Sequence, residues 1–178
     1  MQGLLNIRTG RAGGAFVQRP GHESVARSIV LLIQGRRIQL AALVECRELI
    51  EPGCAQLAAK HRTDADLARL AEPDAALSDS GTGTSSFLGA NIDWHLAVGA
   101  AGHNELLTAF TTATSRAICT SADVQGFADE NVRRSTVRAH RAITKAIRRR
   151  DPVGAARQMR VHVHAYAEAI REVQERSA

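Results

Sequence analysis

His140-Arg141-Ala142-Ile143-Thr144-Lys145-Ala146-Ile147-Arg148-Arg149-Arg150-Asp151-Pro152-Val153-Gly154-Ala155-Ala156-Arg157-Gln158-Met159-Arg160-Val161-His162 is the stretch that decides the fold. Asp151-Pro152 at its centre is an N-cap residue followed by proline at the first helical position. One helix therefore ends near Arg150 and another begins at once. His140 and His162 lie equally far from Asp151, each roughly 16 Å along its helix at 1.5 Å per residue. An antiparallel hairpin brings the two imidazoles level. Both fall on apolar stripes, Val132, Thr136, His140, Ile143, Ile147 and Ala155, Met159, His162, Tyr166, Ile170. Level, inward histidines suggest a metal; a hydrogen-bonded core pair is the plainer alternative.

Working outward, 178 residues suit one domain with a sizeable core and a short extra piece. Only 3% of residues are aromatic and alanine is abundant, which favours helices over strands. A net charge of +5 permits a nucleic-acid partner without requiring one. Cys46, Cys54 and Cys119 have no CxxC or zinc-finger spacing and read as reduced, mostly buried thiols. With no signal peptide and no apolar run of membrane length, the sequence reads as soluble and cytoplasmic.

The first twenty residues differ from the rest. Two short apolar pieces, Gly3 to Ile7 and Ala15 to Val17, flank a glycine-rich tip, a hairpin signal studded with Arg8, Arg11 and Arg19. A flexible basic tail is the alternative. From Glu23 to Lys60 the pattern is helical with a break near Gly35, and its inner stripe is Leu40, Leu43, Val44, Arg47, Ile50, Cys54, Leu57. Arg47 on that stripe either pairs with Glu51 one turn on or aims its guanidinium into a cavity to bind a carboxylate. A short helix over Thr63 to Leu70 follows, then a polar stretch, with Ser78 to Ser86 reading as a mobile loop. Phe87 to Ala101 is helical, with Asn91, Trp94, His95 and Val98 on one face and Asp93 pointing elsewhere. Gly102 ends it. The next helix, Asn104 to Ser121, offers Thr111, Thr112 and Ser115 to a pocket, and Ala122 to Asp129 is a connection. Four inward polar groups thus come from three helices: Asn91 and His95, His140, and His162. His164 sits about 200° around its helix from His162 and cannot face the same ion.

Several segments resemble a known family. Arg8-Thr9-Gly10-Arg11-Ala12-Gly13-Gly14-Ala15-Phe16-Val17 resembles the wing of the winged helix-turn-helix in GntR-type transcriptional regulators, with Ala12 replacing one glycine. Gln2-Gly3-Leu4-Leu5 is similar to the residues after their recognition helix. The resemblance implies that residues 1–20 are the remnant of a DNA-binding domain, with Arg8 and Arg11 as DNA contacts. On this reading the chain begins inside that domain, as a truncation or a misplaced start. Arg47-Glu48-Leu49-Ile50-Glu51-Pro52 resembles the signature that opens the FCD effector domain of the FadR-like GntR subgroup. Asn91-Ile92-Asp93-Trp94-His95, Ala100-Ala101-Gly102-His103-Asn104 and the His140 to His162 stretch resemble the remainder.

That resemblance implies an all-α antiparallel bundle of six or seven helices over residues 21–178, preceded by the hairpin. It further implies a divalent metal, zinc or nickel by its imidazole-rich ligands, held by Asn91, His95, His140 and His162. Asn91 stands where the family has an aspartate. Three neutral imidazoles and an amide leave the ion's charge uncompensated, so a small carboxylate effector beside Arg47 is expected. The function implied is a homodimeric regulator whose effector domain controls DNA binding. The alternative is a metal-dependent hydrolase or lyase acting on a small carboxylate, for which the sequence offers no inward acid as general base. A helical module whose histidines only hydrogen-bond is the third reading.

Overall fold

The computed structural model describes residues 5–10, 13–17, 19, 21–78, 83–119 and 130–177. Strands β1 (Leu5–Arg8) and β2 (Gly14–Val17) pair antiparallel, Leu5 opposite Val17 and Arg8 opposite Gly14. Gly10, at φ +111°, takes the turn conformation that glycine alone adopts freely. Arg8 lies over the Phe16 ring, 5.2 Å from its centroid. Seven helices follow among the described residues: α1 (His22–Arg36), α2 (Leu40–His61), α3 (Asp64–Ser78), α4 (Thr84–Ala101), α5 (Glu105–Cys119), α6 (Glu130–Arg148) and α7 (Pro152–Ser177).

α2 runs through the middle of the bundle and packs on α4, α5, α6 and α7. Its inward Ala55, Ala58 and Ala59 let those helices approach closely, and around them close Leu70, Trp94, Val98, Ile143, Ile147 and Met159. A second cluster joins Ile33, Leu43, Val44 and Ile170 at the other end of α2. The expected stripe on α2 is corrected at four residues. Glu51 and Pro52 are buried, whereas Ile50 and Leu57 are only half-covered. Alanines define the packing face here, and their small side chains give a weak apolar signal.

The turn between α6 and α7 is built as its sequence suggests. Arg150 adopts φ 54°, its N–H bonds to Ile147 O at 3.1 Å, and the Asp151 N–H bonds to Ala146 O at 3.0 Å. That closes α6 with both bonds of a Schellman motif. Asp151 Oδ1 then accepts the Gly154 N–H at 2.8 Å and starts α7. A left-handed arginine costs roughly 1–2 kcal/mol. Its guanidinium offsets this by donating to Lys60 O at 2.9 Å and Arg62 O at 3.2 Å, at the end of α2. The hairpin register is thereby fastened to the central helix.

Two further expectations change. α3 does not stop at Leu70 but continues through Pro73 to bury Leu77, and α4 already includes Thr84 to Ser86. Of the expected serine–glycine loop, residues 79–82 lie outside the described residues, as does the connection at 122–129. Cys54 is buried and Cys119 partly so, but Cys46 is exposed. No helix among the described residues is long and apolar enough to cross a membrane.

Candidate metal centre

His95 on α4, His140 on α6 and His162 on α7 meet at one point. Their Nε2 atoms stand 3.1 Å apart for His140 and His162, and 3.3 Å apart for His162 and His95. One ligating atom from each lies within 4.8 Å of the other two. The helix-hairpin register sets the first pair level. His95 joins because α4 directs Trp94 and His95 at the hairpin, with Trp94 stacked on the His140 ring at 3.6 Å between centroids. Trp94 is held in turn by its indole N–H, which donates to Thr144 Oγ1 at 3.1 Å.

Two nitrogens each about 2.1 Å from an ion stand about 3.0 Å apart at a right angle and about 3.4 Å apart at the tetrahedral angle. The two separations fall between these values, so the two contacts made by His162 fit a shared divalent ion, and the third pair of ligating atoms lies within 4.8 Å. Protonation agrees. Burial, reinforced by the neighbouring imidazoles and Arg47, pushes His140 and His162 well below the usual histidine value. His95 is lowered by burial and by Arg47, against the opposing pull of Glu51. Neutral imidazoles are the form that binds metal.

Asn91 lies one turn before His95 and lines a cavity of about 30 Å³ with Arg47, His95, Ser115 and Tyr166. Its Oδ1 is buried and has no hydrogen-bond partner among the described residues, and the same holds for Ser115 Oγ. Unpaired buried acceptors of this kind are uncommon and mark places where a further group can bind.

Arg47 pairs with Glu51, as one sequence reading expected, and it also lines the cavity. Its Nε donates to Glu51 Oε1 at 2.8 Å, and its Nη2 contacts His95 Nε2 at the cavity. The guanidinium also lies 5.1 Å from the Tyr166 ring centroid. Glu51 is the site residue that sequence reasoning missed, and the expectation of no inward acid is corrected. It is buried between Arg47 and His95, with Oε2 at 2.8 Å from His95 Nδ1. Burial alone would raise its pKa, but Arg47 and His95 outweigh this and hold it at about 2. Its position was legible in one signal, the spacing Val44, Arg47, Glu51, Ala55, Ala58 along one face of α2.

The histidines left aside on spacing stay outside the cluster. His164 faces outward and pairs with Glu48 at 2.8 Å, and His103 pairs with Asp66 at 2.9 Å. Asp93 is exposed. Arg8 is exposed on β1, while Arg11 lies outside the described residues.

Residues 42–165 match the family model described as the FCD domain. The HTH-type transcriptional regulator LutR of Bacillus subtilis (strain 168) is 32% identical over 108 residues, covering 59% of this chain and 47% of that protein. The chain thus spans about half the length of this curated relative. Among solved structures, Streptococcus agalactiae GntR aligns with a TM-score of 0.71 at 23% identity, over 94% of this chain and 75% of that one. A Listeria monocytogenes protein, Lar, whose structure is titled as controlling expression of the agr system, aligns at 0.63 with 14% identity, over 96% and 74%. At these identities the structural likenesses establish the fold.

Proposed function

The chain belongs to the FCD domain family, and from that membership we propose that it is the effector-sensing part of a GntR-type transcriptional regulator. Residues 21–178 form the sensing and dimerisation domain, and residues 1–20 are the wing of a DNA-binding domain. The effector is a small carboxylate. His95, His140 and His162, with Asn91, hold a divalent ion, zinc or nickel. When bound, that ion supplies positive charge and open coordination positions for an anion.

The observation that carries this reading is the meeting of three neutral imidazole Nε2 atoms beside the Arg47 guanidinium. Glu51 and Arg47 cancel one another's charge, and the candidate ligands carry none. A divalent ion there is left uncompensated, and a carboxylate restores balance. Arg47 supplies a donor fork at the cavity, and Ser115 and Asn91 supply polar atoms without partners among the described residues. The hydrolase reading is weaker because Glu51, the acid against His95, is held at about pKa 2 with Arg47 and His95 against its oxygens. Such a carboxylate is a poor base at neutral pH.

The test is thermal. Acetate, succinate and citrate are each titrated into zinc-loaded, nickel-loaded and chelated protein. One of these carboxylates should raise Tm more in a metal-loaded form than in the chelated form. Equal shifts with and without metal would place the anion elsewhere.

A further inference from the structure

Glu51 is 2% exposed, and each of its oxygens faces a different functional group. Oε1 accepts from Arg47 Nε at 2.8 Å along a good hydrogen-bond line. Oε2 stands 2.8 Å from His95 Nδ1, well off the N–H axis, and neither atom has another hydrogen-bond partner among the described residues. That contact is favourable in one tautomer only. With the proton on Nδ1, a carboxylate oxygen meets an N–H. With the proton on Nε2, two lone-pair atoms sit 2.8 Å apart in a buried site and repel.

We propose that Glu51 is the positioning residue of this centre. Oε2 keeps the His95 proton on Nδ1, so the Nε2 lone pair is free toward His162 and toward Arg47 Nη2, whose N–H favours the same tautomer, while Oε1 holds Arg47 at the cavity. The inference rests on the metal reading above for its effect on affinity, and on local geometry alone for its effect on the tautomer. Glutamine cannot substitute for it. An amide accepts on one side only, so it either turns its NH2 toward Arg47 Nε, donor against donor, or turns it toward His95 Nδ1. The second arrangement moves the imidazole proton to Nε2 and removes the lone pair from the cluster.

Two measurements test this. In metal-free, 15N-histidine-labelled protein, the His95 ring nitrogens should report Nδ1–H with a bare Nε2. In Glu51→Gln the Nε2–H form should appear, most fully where Arg47→Met also removes the guanidinium donor from Nε2. An unchanged tautomer, or an Nε2–H form already dominant in the unmutated protein, overturns the proposal. Because Glu51→Gln alone leaves a buried guanidinium unpaired and can fail to fold, both measurements are repeated in Arg47→Met. In that background, chelator competition with zinc or nickel should show affinity about 10–100-fold weaker once Glu51→Gln is added. Equal affinity with and without Glu51→Gln overturns the proposed control of affinity. If the unmutated protein takes up neither metal, the metal reading itself fails, and the tautomer measurement alone decides the positioning role.

Discussion

His140 Nε2 lies 3.1 Å from His162 Nε2 across the α6–α7 hairpin, though 22 residues separate them in the chain. Both should therefore serve one ion. His140→Ala and His162→Ala should each abolish the rise in Tm produced by zinc or nickel, a stabilisation of about 2.7 kcal/mol at a hundredfold excess over Kd. His164→Ala, on the outer face with Glu48, should retain it. Thermal scans with and without metal decide this, and identical behaviour of all three variants would contradict the cluster.

Asn91→Asp should tighten metal binding by on the order of tenfold, about 1.4 kcal/mol, because a charged ligand replaces an amide whose Oδ1 is buried without a partner among the described residues. Chelator competition measures it. A weaker site in the variant would show that Asn91 lies outside the coordination sphere.

Arg47→Ala leaves the Glu51 carboxylate buried with only a neutral imidazole beside it. Breaking such a pair costs about 3–5 kcal/mol, whereas replacing both charges is nearly neutral. Urea denaturation of metal-free protein should show a large fall in midpoint for Arg47→Ala and substantial recovery in Arg47→Met/Glu51→Gln. A double variant no more stable than the single one would mean that packing of the guanidinium, and not its charge, holds this region.

Asp66 accepts the Thr63 N–H at 2.8 Å and the Thr63 hydroxyl at 2.7 Å, and the Thr63 hydroxyl in turn accepts the Asp66 N–H. This reciprocal cap starts α3. Burial would raise the Asp66 pKa, but the Thr63 bonds and His103 outweigh it and bring the value down. A carboxyl lowered on folding contributes stability above the unfolded value near 3.9, and that contribution is lost as pH falls through the folded value. Asp66→Asn should cost about 1–2 kcal/mol at neutral pH. It should also flatten the acid limb of a stability-versus-pH curve. An unchanged acid limb would assign that limb to other carboxylates.

DNA binding by this chain should be weak, without sequence preference and lost at moderate salt. A wing meets phosphates, while base reading comes from a recognition helix in the major groove. Mobility-shift titrations at two salt concentrations, with and without a helix-turn-helix joined upstream, make the comparison. The joined protein should select a two-fold symmetric site as a dimer. Salt-resistant, sequence-selective binding by the chain alone would contradict this.

Much of the candidate site is legible in the sequence. Asp151-Pro152 set the hairpin register, and helical periodicity placed Asn91 and His95 on one face. Glu51 was hidden because an Arg47–Glu51 pair at i, i+4 is the ordinary pattern of an exposed helix face. What distinguishes a buried pair is the surrounding packing, which here comes from His95 on α4 and Tyr166 on α7. Pro73 concealed the length of α3 for a similar reason. Proline disfavours helix locally, but burying Leu77 against α4 carries the helix past it. In both places tertiary packing overrode the local signal.

Trp94 is the chain's single tryptophan, and it lies face to face with His140 at 3.6 Å, with 11° between the planes. Its emission therefore reports on the histidine cluster directly. An open-shell ion such as nickel held by His140 would quench the indole at contact range, whereas closed-shell zinc, which has no redox chemistry, would leave it bright. The same stacked pair that packs the core is thus a built-in optical gauge, able to tell one metal from the other in a cuvette without label or substitution.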